Sequence, residues 1–166
     1  GSDVMGYTDT MNMVLKILLL GIIVVIPIHY FIIKPFIVPD DVMSPKYKKG
    51  DILLIDRISY FRNLFSRDDV VLIRKDKEPG NKFLRRLMGL PNERVIINDG
   101  ILTIYGEGKL VKELPLFGYV FSSLKDIGNL DTHEYFVIGD TSLENGSGMI
   151  DRRNIVGKPL YKLWPL

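Results

Sequence analysis

Residues 94–105 read Arg94-Val95-Ile96-Ile97-Asn98-Asp99-Gly100-Ile101-Leu102-Thr103-Ile104-Tyr105. Two runs rich in β-branched residues flank an Asn-Asp-Gly turn, and this pattern is typical of a β-hairpin. Similar short apolar runs, each bounded by turn residues, occur at 52–55, 70–73 and 135–138. The sequence therefore predicts a mostly β domain with short strands joined by turns. The stretch from Glu113 to Leu130 fits this pattern poorly, and a loop or a short helix at a sheet edge is expected there.

The N-terminal part has a different composition. Residues 17–33 read ILLLGIIVVIPIHYFII and carry no charge, and Lys16 and Lys34 bracket them. A helix of this length spans about 25 Å, the short end of what crosses a bilayer. No small-residue cleavage site follows, so an uncleaved membrane anchor is favoured over a cleavable signal peptide or a buried helix. His29 is expected at the membrane interface.

These features divide the chain into three parts. We predict a tag or tail over residues 1–10, an N-terminal tail and membrane anchor over 11–35, and an extracytoplasmic β domain over 36–166. The basic residues on the two sides of the anchor do not decide its orientation.

Composition excludes several classes of site. The chain has 166 residues, no cysteine, a net charge of +2 and two histidines, His29 and His133. Disulfides and thiolate metal sites are excluded, and a histidine-based metal site is not expected. The weak positive charge does not indicate a nucleic-acid partner. We therefore predict no metal, no cofactor and no nucleic-acid binding.

Several short segments follow the anchor in a recognisable order. They are Phe36-Ile37-Val38-Pro39-Asp40-Asp41-Val42-Met43-Ser44-Pro45, Lys49-Gly50-Asp51, Asp68-Asp69-Val70-Val71, Arg86-Leu87-Met88-Gly89-Leu90-Pro91, Tyr135-Phe136-Val137-Ile138-Gly139-Asp140 and Asn154-Ile155-Val156-Gly157-Lys158. In this order and with these gaps they resemble type I signal peptidases, membrane-anchored serine proteases that remove signal peptides on the outer face of the membrane. The resemblance implies a mostly β, antiparallel, coiled or barrel-like sheet domain after one N-terminal transmembrane helix.

The same resemblance identifies two degenerate positions. Val42 aligns with the family's nucleophilic serine, and Arg85 aligns with its general-base lysine. Valine offers no nucleophile, and an arginine with a pKa above about 12 cannot act as a neutral base. The residues from Gly139 to Gly148 also lack the family's Asp-Ser-Arg. On these grounds we expect a protein without enzymatic activity.

Three functions are compatible with this resemblance. The first is a membrane-anchored accessory or chaperone for pilus assembly on the Gram-positive cell surface, as with the signal-peptidase-like proteins encoded with streptococcal pili. Its partners would be pilin subunits or other exported proteins. The second is an active signal peptidase with a shifted dyad of Ser44 and Lys82, and the third is a regulator of an active signal peptidase. The expected location is the cell membrane, with a single pass and the C-terminal domain on the extracytoplasmic face.

A degenerate substrate cleft is the predicted binding site. Its expected residues are Asp40, Asp41, Val42, Met43, Arg85, Arg86, Gly139 and Asp140. We expect Val42 on a strand over 36–43 that faces the strand of Arg85. We also expect either that one of the two arginines is solvated and the other ion-paired, or that both contact a bound peptide or partner. As a further alternative, Asp40 and Asp41 pair with the arginines and close the cleft, and such exposed pairs contribute little to stability.

Overall fold

The structure is a computed structural model, and it describes residues 2–28, 32–63, 65–75, 80–116, 125–141 and 146–165. His29 lies outside these ranges. The chain divides into two compact units, with the boundary between Lys34 and Pro35.

Helix α1 (Ser2–Pro27) forms most of the first unit. Its segment Gly6–Pro27 is long and apolar enough to cross a membrane. The helix starts earlier than the predicted apolar run, and it includes residues that were expected to form a tail. Its last residue is Pro27, which lacks the backbone N–H that would bond to the carbonyl four residues earlier.

The second unit contains a seven-stranded sheet in the order β1-β2-β11-β3-β4-β9-β10. The strands are β1 (Ile33–Ile37), β2 (Ile52–Asp56), β3 (Val70–Arg74), β4 (Lys82–Gly89), β9 (Glu134–Ile138), β10 (Gly148–Asp151) and β11 (Ile155–Trp164). A four-residue helix α2 (Ile58–Phe61) follows β2, and a 3₁₀ helix (Arg152–Asn154) precedes β11. The pairings β2–β11, β11–β3, β3–β4, β4–β9 and β9–β10 are antiparallel.

A four-stranded sheet has the order β7-β6-β5-β8. Its strands are β5 (Arg94–Asn98), β6 (Ile101–Gly106), β7 (Lys109–Pro115) and β8 (Lys125–Asn129). The predicted hairpin is confirmed, because β5 pairs with β6 through Asn98 and Ile101, and Asp99 and Gly100 have φ of 48° and 75°. Two positive φ values in a two-residue loop are the signature of a type I′ turn.

The expectation of a loop or short helix over Glu113–Leu130 is wrong for the part that the structure describes. Residues up to Pro115 belong to β7, and Lys125–Asn129 form β8. Residues 117–124 lie outside the described ranges. Polar and glycine residues weaken the strand signal of β8, and its pairing with β5 supplies the hydrogen bonds that the local sequence does not predict.

Three clusters of buried apolar side chains form the core. One joins residues of the four-stranded sheet to Met88, Phe136 and Ile138 of the larger sheet. The second contains Val38 and Met43 and packs against β2, β3 and β4. The third contains residues of β3, β4, β9, β10 and β11. Burial of each such side chain stabilises the fold by about 1.5–3 kcal/mol, so Met43 serves as a core anchor for the segment that precedes β2.

Candidate functional site

A pocket of about 500 Å³ lies beside β3, β4, β9 and β10. We call it the Arg85 pocket. Its polar lining residues are Asp40, Arg74, Lys75, Arg85, Ser147, Asp151 and Asn154. Its apolar lining residues are Val42, Ile73, Phe83, Val137, Met149 and Ile150. The backbone of Gly146 and Gly148 completes the wall.

Val42 reaches this pocket from a turn, and the expectation of a strand over 36–43 is wrong. Strand β1 ends at Ile37, and residues 41–46 form bends and turns. The backbone N–H of Ser44 donates to the carbonyl of Asp41 at 3.0 Å, and the N–H of Val42 donates to the carboxylate of Asp40 at 3.2 Å. The turn forms because aspartate side chains accept hydrogen bonds from the nearby backbone.

The residue after Asp140 holds the turn in place. Thr141 donates its backbone N–H to the carbonyl of Val42 at 3.0 Å, and its hydroxyl donates to the same carbonyl at 2.9 Å. Met43 is fully buried on the other side of the turn. Val42 therefore has a defined position that depends on a residue about a hundred positions away in the sequence.

Arg85 is a buried cation in β4. Its side chain is 6% exposed, and its Nη2 lies 3.4 Å from a carboxylate oxygen of Asp40. Its Nη1 donates to the carbonyl of Leu84 at 2.6 Å, and its guanidinium lies 5.2 Å from the ring centroid of Phe83. Burial lowers the pKa of Arg85, and the charge of Asp40 and its hydrogen bond offset this only in part. The site therefore holds a largely buried positive charge beside the carboxylate of Asp40.

Arg86 behaves differently although it is the next residue. Its Nε and Nη2 donate to the two carboxylate oxygens of Asp140 at 2.8 and 2.7 Å, and its Nη1 donates to the carbonyl of Asp68 at 2.8 Å. The hydrogen bonds to Asp140 raise the pKa of Arg86. The expectation of one solvated and one ion-paired arginine is wrong, because both arginines have a carboxylate partner.

The predicted cleft residues do not all meet in one place. The Arg85 pocket brings together Asp40, Val42 and Arg85. The other predicted residues, Asp41, Met43, Arg86, Gly139 and Asp140, are not among the described residues that line it. Asp41 instead accepts a hydrogen bond from the backbone N–H of Lys49 at 2.8 Å.

The shifted dyad of Ser44 and Lys82 is not assembled at the Arg85 pocket, since neither residue is among its described lining residues. Lys82 and Arg85 are three residues apart in a regularly paired part of β4, which places them on opposite faces of the sheet. Ser44 follows Val42 in a turn, so the extended-chain geometry assumed for it does not apply.

The sequence did not identify five polar residues of the pocket, which are Arg74, Lys75, Ser147, Asp151 and Asn154. Arg74 ends β3 and Lys75 follows it, while Ser147 directly precedes β10. Each lies at or beside the end of a strand, close to a predicted strand or a family-like segment. That position is the feature of the sequence from which these residues could have been identified. Asp151 also forms an ion pair with Arg153, with Nε and Oδ1 3.1 Å apart.

Comparison with known proteins gives the family. The model of the family described as signal peptidase, peptidase S26, matches residues 11–164. The chain belongs to this family. A signal peptidase I U of Bacillus subtilis is 30% identical, with 80% of this chain and 76% of that protein covered. A signal peptidase I of Bacillus licheniformis is 28% identical, with 90% of this chain and 87% of that protein covered.

One solved structure is also similar. It is a crystal structure of a signal peptidase I from Enterococcus faecalis, and its sequence is 19% identical to this chain. The match covers 57% of this chain and 95% of that one, with a TM-score of 0.44.

The expectation that the protein is not an enzyme is contradicted by these relatives, which carry the name of an enzyme, signal peptidase I. That expectation rested on Val42 and Arg85 and on the missing Asp-Ser-Arg, with Ser44 and Lys82 as the alternative dyad. The structure places a hydroxyl group, from Ser147, and an amine, from Lys75, on the same pocket.

Proposed function

We propose that this signal peptidase family member acts on exported proteins at the membrane and receives the signal-peptide segment of its client in the Arg85 pocket. The observation that carries the proposal is the meeting of Val42 and Arg85, the two positions aligned with the family's dyad, on one pocket of about 500 Å³. A pocket of this size accommodates a few side chains of an extended peptide.

Strand β10 is at one end of the seven-stranded sheet and also lines the pocket. An end strand has unpaired backbone groups, and an extended client can hydrogen-bond to them by β-augmentation. Backbone pairing of this kind does not require a serine at position 42. It supports binding of the client next to the residues that line the pocket.

Peptide-bond hydrolysis is the activity indicated by the relatives' names. Among the described lining residues, the only hydroxyl belongs to Ser147 and the only amine to Lys75. In the proposed reaction the Ser147 hydroxyl attacks the scissile carbonyl while Lys75 accepts its proton and passes it to the leaving amine. Water then hydrolyses the acyl-serine ester.

Helix α1 is proposed as the anchor that keeps the β domain at the membrane surface, on the extracytoplasmic side where signal peptides emerge. Its segment Gly6–Pro27 has the length and hydropathy of a membrane span. An anchored site faces clients that are still attached to the membrane by their own signal peptides. Anchoring therefore raises the local concentration of substrate.

The test is cleavage of a purified preprotein by the full chain in detergent micelles, followed by mass spectrometry of the products. The variant Ser147→Ala should abolish turnover, because it removes the proposed nucleophile, and Ser66→Ala is the matched control on an exposed turn. The variant Ser44→Ala tests the shifted dyad and should cleave normally. Turnover that survives Ser147→Ala, or an absence of turnover in the unmodified chain, would overturn the proposed reaction.

An accessory role in the assembly of pilin subunits is a second candidate. It is favoured by Val42, which presents no nucleophile at the aligned position and lets a peptide rest there without attack from that side chain. Photo-crosslinkers at Met149 on cells that express or lack the pilins would test it. Crosslinks that appear only with pilins present would support this role, and an identical crosslinking pattern in both strains would reject it.

A further inference from the structure

We propose that Thr141 is a positioning residue for client binding, and that its hydroxyl fixes the Val42 wall of the Arg85 pocket. Thr141 itself is not among the described residues that line this pocket. The inference rests on the proposed function, because it takes the Arg85 pocket as the place where the client peptide binds. It gives a role in peptide affinity to the residue that directly follows the family-like segment ending at Asp140.

Two donors of Thr141 converge on one acceptor. The backbone N–H donates to the carbonyl oxygen of Val42 at 3.0 Å, and the hydroxyl Oγ1 lies 2.9 Å from the same oxygen. Because a carbonyl oxygen only accepts hydrogen bonds, the hydroxyl donates this one. Oγ1 also lies 3.4 Å from the carbonyl oxygen of Asp41, which is a longer and weaker contact. Thr141 therefore binds the backbone of the turn and not its side chains.

The carbonyl of Val42 matters because the other parts of this turn are held from different directions. The backbone N–H of Val42 donates to the carboxylate of Asp40 at 3.2 Å, and the same carboxylate lies 3.4 Å from Nη2 of Arg85. The next residue, Met43, is fully buried in the core. Since the peptide group is planar, a fixed carbonyl limits rotation of the backbone between Val42 and Met43. Thr141 therefore fixes the half of Val42 that Asp40 does not reach.

Thr141 is itself held by the seven-stranded sheet. Strand β9 ends at Ile138, and Asp140 follows two residues later. The carboxylate of Asp140 accepts hydrogen bonds from Nε and Nη2 of Arg86 in β4 at 2.8 and 2.7 Å. The residue before Thr141 is thus tied to β4, and Thr141 extends this tie to the Val42 turn.

The exposure of Thr141 separates an effect on the pocket from an effect on the fold. Thr141 is exposed, so water can replace the partner that its hydroxyl loses, and the fold should lose little stability. Peptide binding should lose more. A wall that leaves its position is competent for binding only part of the time, and the apparent affinity falls with that fraction.

The first experiment measures peptide affinity by fluorescence anisotropy with the full chain in detergent micelles. The probe is a dye-labelled synthetic peptide that spans the cleavage site of the preprotein used in the cleavage test. Thr141→Val removes the hydroxyl and keeps the shape and the backbone N–H. It should weaken binding about two- to tenfold, the factor that corresponds to one net hydrogen bond. Thr141→Ser keeps the hydroxyl and should bind nearly as well as the unmodified chain.

The matched control is Thr132→Val. The hydroxyl of Thr132 lies 3.5 Å from a carboxylate oxygen of Asp131 in an exposed turn, and Thr132 is not among the described lining residues. Its loss should leave the peptide affinity unchanged. Circular dichroism and thermal unfolding check that each variant is folded.

A second experiment observes the wall without any peptide. The sequence has no cysteine, so Val42→Cys introduces a unique thiol. Thr141 bonds to the backbone carbonyl at this position, so the substitution keeps the contact. The rate at which this thiol reacts with a soluble disulfide reagent should rise about two- to tenfold when Thr141→Val is added, because the wall is released by the loss of one hydrogen bond. Adding Thr132→Val should not change the rate.

Each outcome decides a different statement. If Thr141→Val lowers only the melting temperature and changes neither the affinity nor the thiol rate, the hydroxyl is merely structural and the positioning role is overturned, while peptide binding stands. Weaker binding with an unchanged thiol rate would show a direct contact with the peptide and would also reject positioning. An equal loss of affinity in Thr141→Ser would reject the hydroxyl as the cause. Failure of the unmodified chain to bind the peptide would overturn the proposed function and this inference with it.

Discussion

The two sheets of the β domain are assembled from different parts of the sequence. In the four-stranded sheet, β5, β6 and β7 pair with their neighbours in the chain. In the seven-stranded sheet, β11 pairs with β2 and β3, so that Lys158 lies opposite Asp56. The Arg85 pocket belongs to this second sheet and to the Asp40 turn. The comparison teaches that local turns specify one sheet, whereas long-range contacts specify the sheet with the candidate site.

The largest expected effect comes from Gly157→Ala in the seven-stranded sheet. An added Cβ would lie 2.3 Å from the carbonyl oxygen of Asp56, which is backbone that cannot move without disturbing the β2–β11 pairing. We expect a loss of about 3 kcal/mol or more in the free energy of unfolding, measured by urea denaturation. At the matched change Gly106→Ala in the four-stranded sheet, the added Cβ meets only side chains, with Cγ2 of Val111 at 2.9 Å and Glu93 farther away, so its cost should be smaller. Equal costs would contradict the comparison.

The second prediction concerns two ion pairs, Asp40–Arg85 beside the seven-stranded sheet and Asp126–Arg94 in the four-stranded sheet. Asp40→Asn leaves Arg85 buried with less compensation, and we expect a loss of about 2 kcal/mol in unfolding free energy. Asp126→Asn breaks the pair with Arg94, whose side chains are 50% and 45% exposed, and should cost less than about 0.5 kcal/mol. The sequence alone predicted that a pair between Asp40 and an arginine would be exposed and contribute little to stability. A neutral effect of Asp40→Asn would restore that interpretation.

A smaller effect concerns pH and the contact between Asp51 and β11. The carboxylate of Asp51 accepts from the backbone N–H of Lys48 at 2.9 Å, and it lies 2.9 Å from Nζ of Lys162. The hydrogen bond from Lys48 and the charge of Lys162 hold the pKa of Asp51 below its ordinary value of 3.8. The stabilisation is therefore fully present above pH 3.8 and is lost as the pH falls through the lowered pKa.

Asp51→Asn should cost about 1 kcal/mol at neutral pH, and this difference from the unmodified chain should shrink at strongly acidic pH. Thermal unfolding at a series of pH values measures the difference. A difference that grows as the pH falls would have the wrong sign, and would show that Asp51 is not stabilised as the anion.

The smallest effect is expected at the β5–β6 turn. Gly100 has φ of 75°, a conformation that alanine adopts only with strain, so Gly100→Ala should cost about 1 kcal/mol or less. Chemical denaturation should show this loss, and peptide binding at the Arg85 pocket should not change. Loss of binding in a folded Gly100→Ala protein would show that the two sheets are coupled more closely than their contacts suggest.

Several elements were predictable from local chemistry. The runs at 52–55, 70–73, 94–97 and 135–138 each fall within an observed strand. β-Branched residues and flanking turns identify such strands without any knowledge of the fold. Strands β8 and β10 were not predicted, because their glycine and polar residues have little intrinsic strand preference. Their pairing partners determine their conformation.

The candidate site was predictable only in part. Alignment to the family brought Val42 and Arg85 to attention, but it also suggested a cleft that included Arg86 and Asp140. Alternation along β4 places Arg86 on the face opposite Arg85, where it pairs with Asp140. Ser147, Lys75 and Arg74 come from segments with no shared local pattern, so only the folded sheet shows that they line the same pocket.

The sequence by itself determined the apolar N-terminal helix, the β character of the rest, the Asp99-Gly100 turn and the family. These depend on hydropathy, side-chain shape and backbone preference, which act over a few residues. Tertiary structure alone decided that Arg85 is buried beside Asp40, and that Arg74, Lys75 and Ser147 line the same pocket. The physical reason is that burial and charge compensation depend on which strands become neighbours, and the strands around this pocket are far apart in the chain.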